Sequence, residues 1–210
     1  MQPVSGKARA LSRQGNTQPQ CGCTHDPKQT MAHLPYADLQ TPQAQALVQR
    51  IVAERGSVLH LYQMLLHSPP LAEGWLGYLT AVRHKLSLPG DLRELVIMRV
   101  AQLNGAPYEA QQHAPIALKE GVTQRQLDTL AQWSSCTAFS EEQGAVLALC
   151  DTMTQNVQVP KAVLLAVQKH LGERQTVELV ATIAAYNMVS RFLEALHIHD
   201  DDTRPAEPVA

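Results

Sequence analysis

The stretch Asp91-Leu-Arg-Glu-Leu-Val-Ile-Met-Arg-Val-Ala-Gln-Leu-Asn-Gly-Ala-Pro-Tyr-Glu-Ala-Gln-Gln-His-Ala-Pro-Ile-Ala-Leu-Lys-Glu-Gly121 decides the architecture. On a wheel of about 100° per residue, Leu92, Leu95, Val96, Ile97, Met98, Val100 and Leu103 point in nearly every direction. A helix that is apolar all round has no face to offer water and is buried. Asn104-Gly105 closes it with the residue types that tolerate a left-handed backbone. Pro107 then opens a second helix, where its missing N–H costs nothing, and Pro115 is expected to kink that helix before Gly121 ends it.

Glu94 shares its side with Ile97, Met98 and Ala101, so its carboxyl is expected inside the protein or at a cavity. Burial disfavours the charged form and predicts a raised pKa. Such a group exchanges protons near neutrality, although a buried Glu paired with Arg or His for structure fits the same pattern. On the next helix His113 lies four residues after Glu109, close enough to touch it, and a histidine titrates where an acid–base catalyst must. Tyr108 offers a phenol for a developing oxyanion or a ring for packing. Glu109 reads most simply as a helix-start charge favoured by the dipole.

Working outward, the other elements are helical too. Thr41-Pro42 caps and starts a helix that Gly56 ends, and a short apolar run, Val58 to Leu66, stops at Ser68-Pro69-Pro70. Another helix passes through Trp75, Leu79 and Val82, and capping boxes stand at Thr123–Gln126 and Ser140–Gln143. Pro160 begins a helix that Gly172 terminates, and a long apolar helix follows from Glu173 to His197. No segment alternates at period two for long enough to make a strand, so the class is all-α. Glu94-Leu-Val and Glu178-Leu-Val echo each other early in apolar helices, which fits two pseudo-related helical halves.

Residues 1–30 are polar, without an apolar period, and read as a disordered extension; residues 31–199 form the folded unit, with Met31 as a natural start; residues 200–210 read as a second loose tail. The net charge of −2 and the scattered Lys and Arg give no footprint for nucleic acid. No apolar run reaches the roughly 18 residues of a membrane span, and no secretory signal precedes the domain. Cys21-Gly-Cys23-Thr-His25 lacks the spacing and the second ligand pair of a zinc site, and Cys136 and Cys150 stand apart. His60, His67, His84 and the His197/His199 pair likewise lack metal-ligand spacing, so no metal is expected. A reduced, cytoplasmic protein follows from this cysteine usage.

Taken together, Glu94, the Asn104-Gly105 break, Tyr108 and His113 resemble the signature of the carboxymuconolactone decarboxylase family, which includes the alkylhydroperoxidase D-like enzymes. The resemblance implies an alkylhydroperoxidase D-like helical bundle, a homo-oligomer, and a site among helices near a subunit contact. It carries over Glu94, Tyr108 and His113 as catalytic positions. The peroxidase branch has a Cys-x-x-Cys pair where this chain has Ala106 and Glu109, and peroxide reduction needs an attacking thiolate and a resolving thiol. What remains is an acid–base frame, which implies a cofactor-independent lyase or isomerase acting on a small carboxylated lactone or keto acid. Arg191 or Arg83 would hold a carboxylate of that substrate. The alternatives are a thiol peroxidase using other cysteines and a non-catalytic oligomeric helical protein.

Overall fold

The computed structural model describes residues 32–200 and 202, and the expected N-terminal extension lies outside the described residues. Among the described residues eight α-helices follow one another: α1 Pro42–Arg55, α2 His60–Leu65, α3 Pro69–His84, α4 Gly90–Asn104, α5 Pro107–Lys119, α6 Gln124–Thr129, α7 Glu141–Gln155 and α8 Lys161–Leu196. A 3₁₀ stretch, Leu130–Ser135, links α6 to α7, and no strand occurs among the described residues.

The all-round apolar helix takes the centre. α4 packs against α5, α7 and α8, and Leu92, Val96, Ile97 and Val100 are all essentially inaccessible to solvent. They join Val146 and Leu149 of α7 and Leu179 and Ile183 of α8 in the main core. At about 1.5–3 kcal/mol per fully buried aliphatic side chain, this layer holds the bundle together. A smaller cluster, including Leu95, Ala117, Val122 and Leu147, packs the C-terminal end of α5 with α4 and the middle of α7.

Local signals set the boundaries. Thr41 caps α1 by accepting from the Ala44 N–H, and both capping boxes form. Gly105 is left-handed (φ 63°, ψ 39°), and the N–H of Ala106 reaches back to the Ala101 carbonyl at 2.9 Å. One residue later Pro107 starts α5, so the two helices form a tight hairpin. α5 runs as one element through Pro115. α8 is broken at Gly172 (φ 69°, ψ −177°), the residue expected to terminate a helix there. By length and composition α8 would pass for a membrane span, against the sequence expectation; half of its apolar window is buried inside the bundle, as in a core helix.

The chain is fastened beyond the expected start of the C-terminal tail. The Tyr36 hydroxyl donates to the Asp202 carboxylate, which also accepts from the His199 N–H at 3.0 Å. Asp202 is buried.

Candidate active site

The α4–α5 hairpin brings Glu94 and His113 to the same level. Oε2 of Glu94 lies 2.7 Å from Nδ1 of His113, and the other ring nitrogen, Nε2, lies 3.2 Å from Oε1 of Glu109. All three side chains are buried. The second Glu94 oxygen accepts from Nε of Arg93 at 3.0 Å, and Arg93 continues to Glu120 at 3.5 Å. Tyr186 of α8 sets its ring edge against the imidazole, with centroids 5.1 Å apart and planes at 89°. The ring is therefore clamped at both nitrogens and on one side.

These contacts overturn the expected direction of the Glu94 shift. Burial alone would raise its pKa, but the hydrogen bond and charge of His113, with Arg93 behind, hold the carboxyl below its ordinary range. Burial would likewise push the His113 imidazolium down; the carboxylates of Glu109 and Glu94 outweigh it and hold the ring above the usual histidine value. A ring facing a carboxylate on each nitrogen donates from both when it is a cation. Burial is the largest single influence on Glu94, but the paired charges of His113 and Arg93 together outweigh it.

Beside this cluster lies a cavity of about 240 Å³ whose wall includes Tyr108, Glu109, His113, Arg83 and Tyr186. It falls just under the roughly 300–1,000 Å³ typical of drug-sized sites, so it suits a small molecule. Tyr108 is buried in the wall, as a phenolic donor would be. Arg83 is half-buried there and makes no ion pair or hydrogen bond among the described residues. Its neighbour in the wall, Arg55, is already committed to Thr80 and the Glu54 carbonyl. The Tyr186 hydroxyl is fully buried without a hydrogen-bond partner among the described residues, and burial keeps it protonated far above the usual phenol range. Glu94 is absent from the wall; it stands behind His113.

Four of the five expected site residues thus gather here, and Arg191 does not. It is exposed, donates to the Asn187 side chain and carbonyl, and through Asn187 braces Asn104 at the hairpin turn. Two residues escaped the sequence reading. Glu109 reads as a helix-start charge, yet its i, i+4 spacing to His113 is what brings it into the site. Tyr186 had no signal among the aliphatic residues around it.

The model of the carboxymuconolactone decarboxylase family matches residues 69–151, which contain the whole hairpin and the cavity wall contributed by α5. The uncharacterized protein YdfG of Bacillus subtilis (strain 168) is 33% identical over 112 residues, covering 52% of this chain and 76% of its own. An uncharacterized peroxidase-related protein from Silicibacter sp. TM1040 superposes with a TM-score of 0.69 at 15% identity, over 85% of this chain and 95% of that one. The debrominase Bmp8 in its apo form gives 0.66 at 17% identity, over 81% and 91%. At these identities the structural likeness is one of fold.

Proposed function

Because the chain belongs to the carboxymuconolactone decarboxylase family of alkylhydroperoxidase D-like helical proteins, we propose that it is a cofactor-independent lyase or isomerase acting on a small carboxylated lactone or keto acid. The observation that carries the reading is His113 bridging Glu94 and Glu109 at the wall of a small cavity. Decarboxylation needs an electron sink, a stabilised oxyanion and an acid. The breaking carbon–carbon bond sends its electron pair into a conjugated carbonyl of the substrate, CO₂ leaves, and the enolate oxygen meets the Tyr108 phenol. The proton that returns to carbon is supplied by the cluster around His113. Isomerisation uses the same groups, with a proton removed from one carbon and returned at another. Arg83, uncommitted in the wall, suits a substrate carboxylate, which it can hold bidentately.

The test is a panel of γ-lactone carboxylic acids and 2- and 3-oxo acids, followed for CO₂ release and for new products by NMR. Turnover without added metal or cofactor is expected for at least one member and is lost in Tyr108→Phe and Arg83→Gln. No turnover across the panel by folded protein overturns the reading.

A further inference from the structure

We propose that Glu109 is the residue that exchanges a proton with the substrate, with His113 as its proton store and Glu94 as the positioning residue that holds the ring. This rests on the reading above that the cavity performs proton chemistry at carbon, and adds which atom performs it.

The argument is one of access. Both His113 nitrogens are spent on carboxylates, so neither has a lone pair or proton free for a substrate. Glu94 lies behind the ring with one oxygen on His113 and the other on Arg93, and it does not reach the cavity wall. Glu109 is buried in that wall; Oε1 faces Nε2, and Oε2 makes no hydrogen bond among the described residues. Of the three groups it alone has an uncommitted proton-carrying atom.

The protons balance with solvent water as the only further reactant. The Nδ1 proton of His113 stays on the ring throughout, donated to the Glu94 carboxylate. The mobile proton lies between Nε2 and Glu109, so the pair exists as imidazolium with carboxylate or as neutral imidazole with carboxylic acid. As an acid, Glu109 gives its O–H proton to the substrate carbon, where the enolate electron pair forms the new C–H bond. That leaves a carboxylate beside a neutral imidazole whose Nε2 has given up its proton, and a proton from solvent water restores the imidazolium. As a base, the carboxylate removes a C–H proton while the electron pair moves into the carbonyl. The same residue therefore serves a lyase and an isomerase.

Hydrogen–deuterium exchange in D₂O isolates this step from bond cleavage. The probes are 4-oxopentanoate, 2-oxobutanoate and 5-oxotetrahydrofuran-2-carboxylate, read by proton NMR, with the His113 ring followed by nitrogen-15 NMR. Wild type is expected to exchange at least one of them, and Glu109→Gln to lose about a hundredfold. Glu109→Ala is expected to recover part of the rate with added formate, which replaces the missing carboxyl and which a structural role would not respond to. Glu94→Gln is expected to lower the His113 titration, with Glu94→Asp restoring it in part. Exchange by Glu109→Gln within about threefold of wild type, or no formate rescue of a folded Glu109→Ala, overturns the assignment of Glu109 while leaving the proposed function standing. Wild type that exchanges none of the probes, with no turnover of the wider panel, overturns both.

Discussion

Glu94 and His113, nineteen positions apart in the chain, meet at 2.7 Å across the α4–α5 turn, and both are almost wholly withdrawn from water. If they work as one unit, Glu94→Gln and His113→Ala each lower turnover about a hundredfold or more, the usual scale of acid–base catalysis. The double variant is expected to lose little beyond either single one, because residues acting together are not additive. Steady-state kinetics on the three folded variants decide it. Strictly additive losses would mean that the two act separately.

The same contact gives stability a pH dependence on two sides. The depressed Glu94 contributes stability that is present above its unfolded value, about 4.3, and lost as pH falls through the lower folded value. The raised His113 contributes fully below its unfolded value, about 6.5, and loses this as pH rises through the higher folded value. The groups around the ring are Glu109 on its own helix, Glu94 and Arg93 on α4, and Tyr186 on α8, with Arg83 of α3 in the shared cavity wall. Thermal unfolding is therefore expected to show a plateau between these limits. Its alkaline edge should flatten in His113→Gln. An alkaline limb unchanged by that substitution would remove His113 from the explanation.

Arg99 is a second buried charge on α4, with a different task. Nε and Nη2 make a bidentate pair with Asp151 of α7 at 2.6 and 2.8 Å, and Nη1 reaches Gln102 and the Leu130 carbonyl. Trp133 donates to the same carboxylate at 3.0 Å. Removing one partner leaves the other's charge without its pair in a largely buried place, at up to about 3–5 kcal/mol. Asp151→Asn is expected to lower the unfolding free energy by that scale, measured by denaturant titration, without touching the cavity. An unfolding free energy within about 0.5 kcal/mol of wild type, the size of an ordinary surface change, would show that the pair is solvated.

Much of the fold is legible in residues whose effect is local. Gly105, Gly172, Thr41 and the two capping boxes act through backbone geometry within a few residues, and each does in the structure what its type and position imply. Glu94, Tyr108 and His113 were also legible, since the turn between them fixes how their helices meet. Tyr186 was not, because it reaches the site from α8, and only the packing of α4 on α8 places it there. The direction of the Glu94 shift failed for a related reason: burial can be read from one helix, while the compensating charge comes from another. Arg191 shows the converse, a plausible clamp on an apolar helix whose stripe faces away from the cavity.

Peroxidase activity is expected to be negligible. The described cysteines are Cys136, in the segment before α7, and Cys150, which is buried within α7 with its thiol pushed far up by desolvation. Neither lines the cavity; the buried Cys150 thiol is inert toward peroxide, and Cys136, although the Thr129 hydroxyl and the backbone hold its thiol below the ordinary value, stands outside the site. Hydroperoxide consumption should sit at the level of a Cys136→Ser/Cys150→Ser double variant. Robust consumption that thiol alkylation abolishes would contradict this.

The surface of α8 leads to the last prediction. Val177, Ala184 and Met188 recur at i, i+7 and i+11, so they share one face, and all three are exposed, Val177 by 68%. Tyr78 of α3, 43% exposed, leans onto the same helix and donates to the Ala181 carbonyl at 3.4 Å. A contiguous apolar strip of this kind on a folded chain marks an association surface more often than a water-facing one. Self-association through α8 is expected, which agrees with the homo-oligomer implied by the family resemblance. Light scattering at micromolar concentration should give a dimer or larger for the wild type. Val177→Glu with Met188→Glu should give a monomer with unchanged helix content, because neither side chain is part of the buried core. A wild-type monomer would dismiss the surface, and an oligomer indifferent to both charges would move the contact elsewhere.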